Sequence, residues 1–201
     1  MCSFGRRRVL VVGIIVLLSV ASTLVALTPA MADPFGGCSV ATGEGCHADN
    51  SIHTYCYGGG FPATLEDEAD YAMDKAIDRD TILSDDFESI CNTTIDVKWL
   101  AADLGPGVRG DYMCLDPNGL EGQQTCYAGR VRLNPDYINQ GSNDAEDRKK
   151  SACHEVGHSL GLQHGDSKND CMINDEIPEP TAQWMTFSNH HIDDHINPYY
   201  G

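Results

Sequence analysis

The sequence predicts an α+β domain stapled by disulfides, on three observations. Apolar residues recur at helical spacing from Thr64 to Asp80, three shorter stretches have the composition of strands, and the cysteines left after amino-terminal processing are even in number.

In chain order, Arg6, Arg7 and Arg8 precede an apolar run from Val9 to Leu27, which Pro29 ends. Ala30-Met31-Ala32 then offers small residues at the two positions a signal peptidase reads. Residues 1–32 therefore read as a signal peptide cut after Ala32, and the protein as secreted and extracellular, with no membrane partner after cleavage. The competing reading is an uncleaved anchor, since the run is 19 residues and a bilayer needs about 20. Residues 33–60 form a Cys/Gly-rich amino-terminal segment and residues 61–201 the main domain. Leu65, Ala69, Ala72, Met73, Ala76 and Ile77 recur beside acidic positions as one face of an amphipathic helix that should pack on a sheet. Thr94 to Leu100 alternates Ile95, Val97 and Trp99 with polar residues, as a half-buried strand does; Asp111 to Leu115 and Gly129 to Leu133 are two more strands. A second helix is expected to begin near Asn143 or Asp144, where an N-cap and first-turn acids suit the helix dipole, and to run to about Leu160 with Ala152, Val156, Ser159 and Leu160 facing the protein. Ser188 can cap a last helix through Ile196, with Pro198 marking its end.

That second helix carries the chemistry. His154-Glu155-Val156-Gly157-His158 places two imidazoles four residues apart, on one face of a helix and within reach of one ion. A hydrolytic zinc site keeps three protein ligands and an open position for a water whose pKa it lowers to roughly 7; Glu155, beside the pair, can act as general base on that water. In an unbroken helix His164 would lie roughly 9 Å beyond His158 and could not take part. Gly161 removes the difficulty, because glycine takes the left-handed conformation that ends a helix and turns the chain back. Gly165, free of a side chain, can serve the same reversal, and Asp166 is a candidate to accept a ligand's second ring N–H or to cap a turn.

His154, Glu155, His158, Gly161 and His164 resemble the pattern of the metzincin metallopeptidases, H-E-x-x-H-x-x-G-x-x-H followed by a methionine turn. Cys171-Met172-Ile173 falls at the matrixin-like distance, with Met172 as the methionine that packs beneath the ligands without binding the metal. The resemblance implies a metzincin-like zincin domain over residues 61–201: a twisted, mostly parallel sheet, an active-site helix, and a small carboxy-terminal subdomain ending in a helix. It implies a zinc metalloendopeptidase with Glu155 as the catalytic residue, His154, His158 and His164 as the metal ligands, and a protein or peptide substrate. Gly110 to Leu115 is the positional match for the strand that edges the cleft and pairs with substrate backbone. Matrixin domains end in a similar helix and Tyr-Gly, as Tyr200-Gly201 does here, but Asp193 and Asp194 fall later than the family's paired aspartates. Nothing resembles the family's cysteine-bearing propeptide motif. The alternative, from a different class, is a catalytically silent zinc-fold protein that binds or adheres; the intact Glu155 argues for the enzyme, since a structural zinc site has no use for it.

Removal of residues 1–32 takes away Cys2 and leaves eight cysteines, which read as disulfides in an exported chain. Cys153 adjoins His154 and Cys171 adjoins Met172, so those two are expected to pair; Cys114 and Cys126 flank Asp116-Pro117-Asn118-Gly119 and are expected to close a hairpin; the other four pair among themselves. The shortened chain has 10 basic against 30 acidic residues, a net charge of −20. Nucleic acid is therefore excluded as a partner, and the acidity suggests solubility outside the cell, a preference for basic peptides, or calcium. Calcium is a second candidate cation, common among matrixins, although Asp116, Asn118 and Glu121 complete no known calcium loop. His190, His191 and His195 read as exposed histidines on a terminal helix, and His47 and His53 have no partner at a ligand spacing. Asn92-Thr93-Thr94 is a glycosylation acceptor where the host attaches sugars. A monomer is expected.

Overall fold

Leu65, Ala69, Ala72, Met73, Ala76 and Ile77 are all buried, and the segment that carries them is helical throughout: a short 3-10 turn Ala63–Leu65, α1 (Glu66–Asp70) and a π-wound continuation Tyr71–Ile77. In this computed structural model the described residues are 38, 46–118, 125–140, 142–164, 169–174 and 176–201, all within the compact unit Met31–Gly201. The signal peptide, Gly165, Asp166 and Glu121 lie outside them. The fold is mixed α+β.

Among the described residues eight strands make two sheets. β1 (His47–Ala48), β6 (Pro117–Asn118) and β7 (Thr125–Cys126) form a small one in the order β1-β7-β6. The large one contains β2 (Ile52–Tyr57), β3 (Ser84–Phe87), β4 (Val97–Ala101), β5 (Gly110–Cys114) and β8 (Gly129–Leu133), in the order β3-β2-β4-β8-β5. β2 is parallel to β3 and β4, and β4 to β8; only β5 runs antiparallel, along β8. The helical segment 63–77 is the crossover that parallel neighbours β2 and β3 require. The strand expected from Thr94 begins at Val97, with Ile95, Val97 and Trp99 buried as the alternation demands.

The Cys/Gly-rich stretch contributes to the large sheet: residues 52–57 are β2, between β3 and β4. The polar His53 and Thr54 mask this strand in the sequence; His53 is buried, and Thr54 donates from both its amide (2.8 Å) and its hydroxyl (2.7 Å) to the buried Asp96 carboxylate. One expectation is corrected: Pro198 does not end the last helix. A π-wound stretch His191–Ile196 runs into α3 (Asn197–Tyr200), so Pro198 lies within a continuing helical run.

Helix α2 (Asp144–Ser159) matches the expected active-site helix, with Asn143 at the N-cap position and Leu160 at the C-cap. It packs against the helical segment 71–77, α1, β5 and β8, and from Lys150 to Leu162 every residue is buried. Cys153–Cys171 and Cys114–Cys126 are bonded as expected, the latter joining the end of β5 to β7; Cys38–Cys46 and Cys56–Cys91 complete the pairing. Cys153–Cys171 joins α2 to the segment before Met172 across 18 residues. Closing a loop of that length restricts the unfolded chain, so replacing both cysteines by serine is expected to lower the unfolding free energy by about 3 kcal/mol in urea titrations.

Candidate metal centre and cleft

The three histidines converge because α2 ends where it does. Gly161 has φ +94°, a conformation open to glycine. Its N–H donates to the carbonyl of His158 (3.2 Å), and the N–H of Leu162 donates to that of Gly157 (3.0 Å). This pair of bonds is a Schellman motif, with buried Leu162 anchoring the reversed chain. The reversal also turns the Leu162 carbonyl back to accept from His158 Nδ1 (2.8 Å), and the Cys171 carbonyl accepts from His154 Nδ1 (2.9 Å). A carbonyl can only accept, so each Nδ1 carries the proton and each Nε2 presents its lone pair. These carbonyls anchor the second ring nitrogens of two of the three histidines.

His164 Nε2 lies 3.0 Å from His154 Nε2 and 3.1 Å from His158 Nε2. Burial pushes the basicity of His158 down to about 4 and that of His154 well below the ordinary value. Lone pairs of neutral imidazoles aimed at a common point repel one another, and a cation at that point reverses the sign. Tetrahedral zinc nitrogens, each about 2.1 Å from the ion, are about 3.4 Å apart, close to the spacing here. Among the described residues this is the one group of three or more His, Cys, Asp and Glu side chains arranged for a metal. His154 and His158 are buried and His164 is exposed, which leaves a side toward solvent.

That side is a cleft of about 220 Å³, with Glu155, Lys150 and the three histidines in its wall and Gly110 to Tyr112 of β5 along one rim. Gly110 and Gly157 have a steric duty that motif spacing does not reveal. A Cβ on Gly110 would stand 2.8 Å from Glu155 Oε1, so the carboxylate lies directly against the edge strand. A Cβ on Gly157 would collide with Met172 Sδ. Met172 is thus packed against α2 between the first two histidines, 1 % exposed.

The loop bearing Met172 is held from below. Asp170 Oδ1 accepts from the Met172 amide at 2.9 Å, Oδ2 accepts from the Ser188 amide at 3.3 Å, and the same oxygen is 2.6 Å from His191 Nδ1. Burial raises the Asp170 carboxyl, but the His191 hydrogen bond and charge, with the two amides, bring it below the usual carboxylate range. His191, expected to be exposed, is fully buried; helical spacing from its neighbours cannot reveal a partner 21 residues upstream. His190 is the more exposed member and pairs with Asp194 at 2.6 Å. His47 stacks on Tyr199, ring centroids 3.8 Å apart, and fills the space beside Gly161. Lys150 was legible: it lies four residues before His154 and so on the same face.

No family profile and no curated protein matches the chain.

Two outcomes follow. Gly157→Ala forces Met172 out of its seat and is expected to cost about 1–3 kcal/mol of stability by chemical denaturation. For His53, burial lowers the pKa from 6.5 to about 4. Its Nε2–H donates to Ser159 Oγ at 2.8 Å, since that hydroxyl donates to the Val156 carbonyl. Because the folded value lies below the unfolded one, the unfolded chain binds more protons between pH 6.5 and pH 4. Stability therefore falls as pH drops through that window. His53→Gln should make the decline shallower in metal-free protein.

Proposed function

We propose that this chain is a secreted zinc endopeptidase of the matrixin-like metzincin type. One observation carries the reading: the three Nε2 lone pairs converge at one end of a cleft whose wall also holds Glu155 and whose rim is an edge strand. His154, His158 and His164 would hold the ion. Zinc bound there supplies a Lewis acid that makes a water nucleophilic near neutral pH and polarises a carbonyl.

The rest is the work of this chain's own residues. Glu155 takes the proton of the attacking water and delivers it to the leaving amine. Its position against Gly110 puts that carboxylate at the strand where a peptide would lie. β5 is the last strand of its sheet, hydrogen-bonded to β8 on one edge, so an extended substrate can add to the other. Buried His154 and His158 are held neutral with their second nitrogens anchored, so ligands are not lost to protonation near pH 7. The mostly parallel sheet, the helix and the buried Met172 support the metzincin-like fold. Four disulfides support an extracellular setting, and among the described residues no helix is long and apolar enough to cross a membrane.

Glu155→Ala is expected to bind zinc with near wild-type stoichiometry and to lose hydrolysis of casein or a peptide library; retention of normal turnover would refute the role. His164→Ala should instead lose zinc on dialysis, since two imidazoles alone hold it weakly.

A further inference from the structure

The chain is acidic, at −17 net, yet its cleft holds a buried lysine. Lys150 is 3 % exposed and lines the same cavity as the histidines. It precedes His154 by one helical turn, so its backbone is about 6 Å from that of His154 along the axis of α2. Burying an ammonium is costly unless its charge is engaged. Lys150 has an interaction of its own within the protein, and an ammonium has three donor directions.

Arg109 lines the same cleft at the start of the β5 rim. It donates to the Gln140 carbonyl (2.6 Å) and to Glu176 Oε1 (2.7 Å), and its other terminal nitrogen is 3.3 Å from Asp147 Oδ1. Asp147 is one turn before Lys150 on α2 and is itself buried, its Oδ1 also accepting from the Ile177 amide at 3.0 Å. On the rim, Asp111 is committed to Arg132, with Arg132 Nε donating to Oδ1 at 2.8 Å and Nη2 to Oδ2. Lys150 thus stands in the wall that also holds the histidines and Glu155.

We propose that the stretch of cleft beside Lys150 receives a substrate carboxylate, from either an acidic side chain beside the scissile bond or the terminus of a short peptide. The proposal rests on the peptidase reading and reverses the preference for basic peptides that overall charge suggested.

The test uses zinc-loaded full-length secreted protein and quenched peptides with Glu or Gln at each position around the cleaved bond, as free acids and as amides. Glu is expected to exceed Gln in kcat/KM by about tenfold at one position, the scale of a hydrogen bond to a charged group. Loss of cleavage on amidation, with no side-chain preference, assigns the terminal carboxylate instead. Lys150→Met should abolish whichever preference exists, and Lys150→Glu should favour Lys at that position. Equal cleavage of all pairs, or a preference that survives in Lys150→Met, overturns the proposal. A calorimetric arm, titrating the Glu and Gln peptides into Glu155→Gln, reads the same preference as affinity without turnover. Absence of cleavage by the wild type with a tenfold Glu preference in binding would sink the peptidase reading and spare the carboxylate site; equal binding would sink the site.

Discussion

Helix α2 must stop at Leu160 and reverse within two residues if His164 is to meet His154 and His158, and the Schellman bonds at Gly161 enforce that stop. The backbone there is left-handed, and a side chain would meet the His47 ring. The reversal does two things at once. It brings the third imidazole back along the helix, and it aims the Leu162 carbonyl at His158 Nδ1, which fixes the tautomer of that ring.

The first histidine depends on a different support. Its Nδ1 proton goes to Cys171, whose loop is fixed by the disulfide to Cys153, by the Cys171 amide bond to Thr186 and by the Asp170 carboxylate. Asp170 in turn is joined to buried His191 of the terminal helix. The carboxy-terminal helix therefore belongs to the support of the candidate metal centre. Its end is tied to the turn after residue 77, where Asn197 accepts from the Ile82 amide and donates to the Asp80 carbonyl.

Charge is distributed against the average. In segment 63–77 Asp67, Asp70 and Asp74 are exposed and only Glu68 is buried, against Arg148, while the cleft wall carries Lys150 and Arg109. Overall net charge governs solubility and long-range attraction; selection within a cleft is decided by the few groups that a bound chain touches. The two can therefore have opposite signs in one molecule.

How much of this was legible follows from the range of each interaction. Residues one to four apart on a helix are neighbours whatever the fold, so His154, Glu155, His158, the Gly161 reversal and the buried face from Leu65 to Ile77 could be read from spacing alone. Adjacency to motif residues also singled out Cys153–Cys171, and turn chemistry singled out Cys114–Cys126. Strand β2 was hidden because its polar His53 and Thr54 find partners more than 40 residues away. The duties of Gly110 and Gly157, the burial of His191 on Asp170 and the pairing of Arg109 with Asp147 and Glu176 were likewise beyond spacing. By itself the sequence determined the three candidate ligands, the carboxylate beside them and the helix that bears most of them, because those are local geometry. Tertiary structure alone decided which carbonyls orient the rings, which glycines leave room and what charge faces the cleft, because each is a contact between segments that only packing brings together.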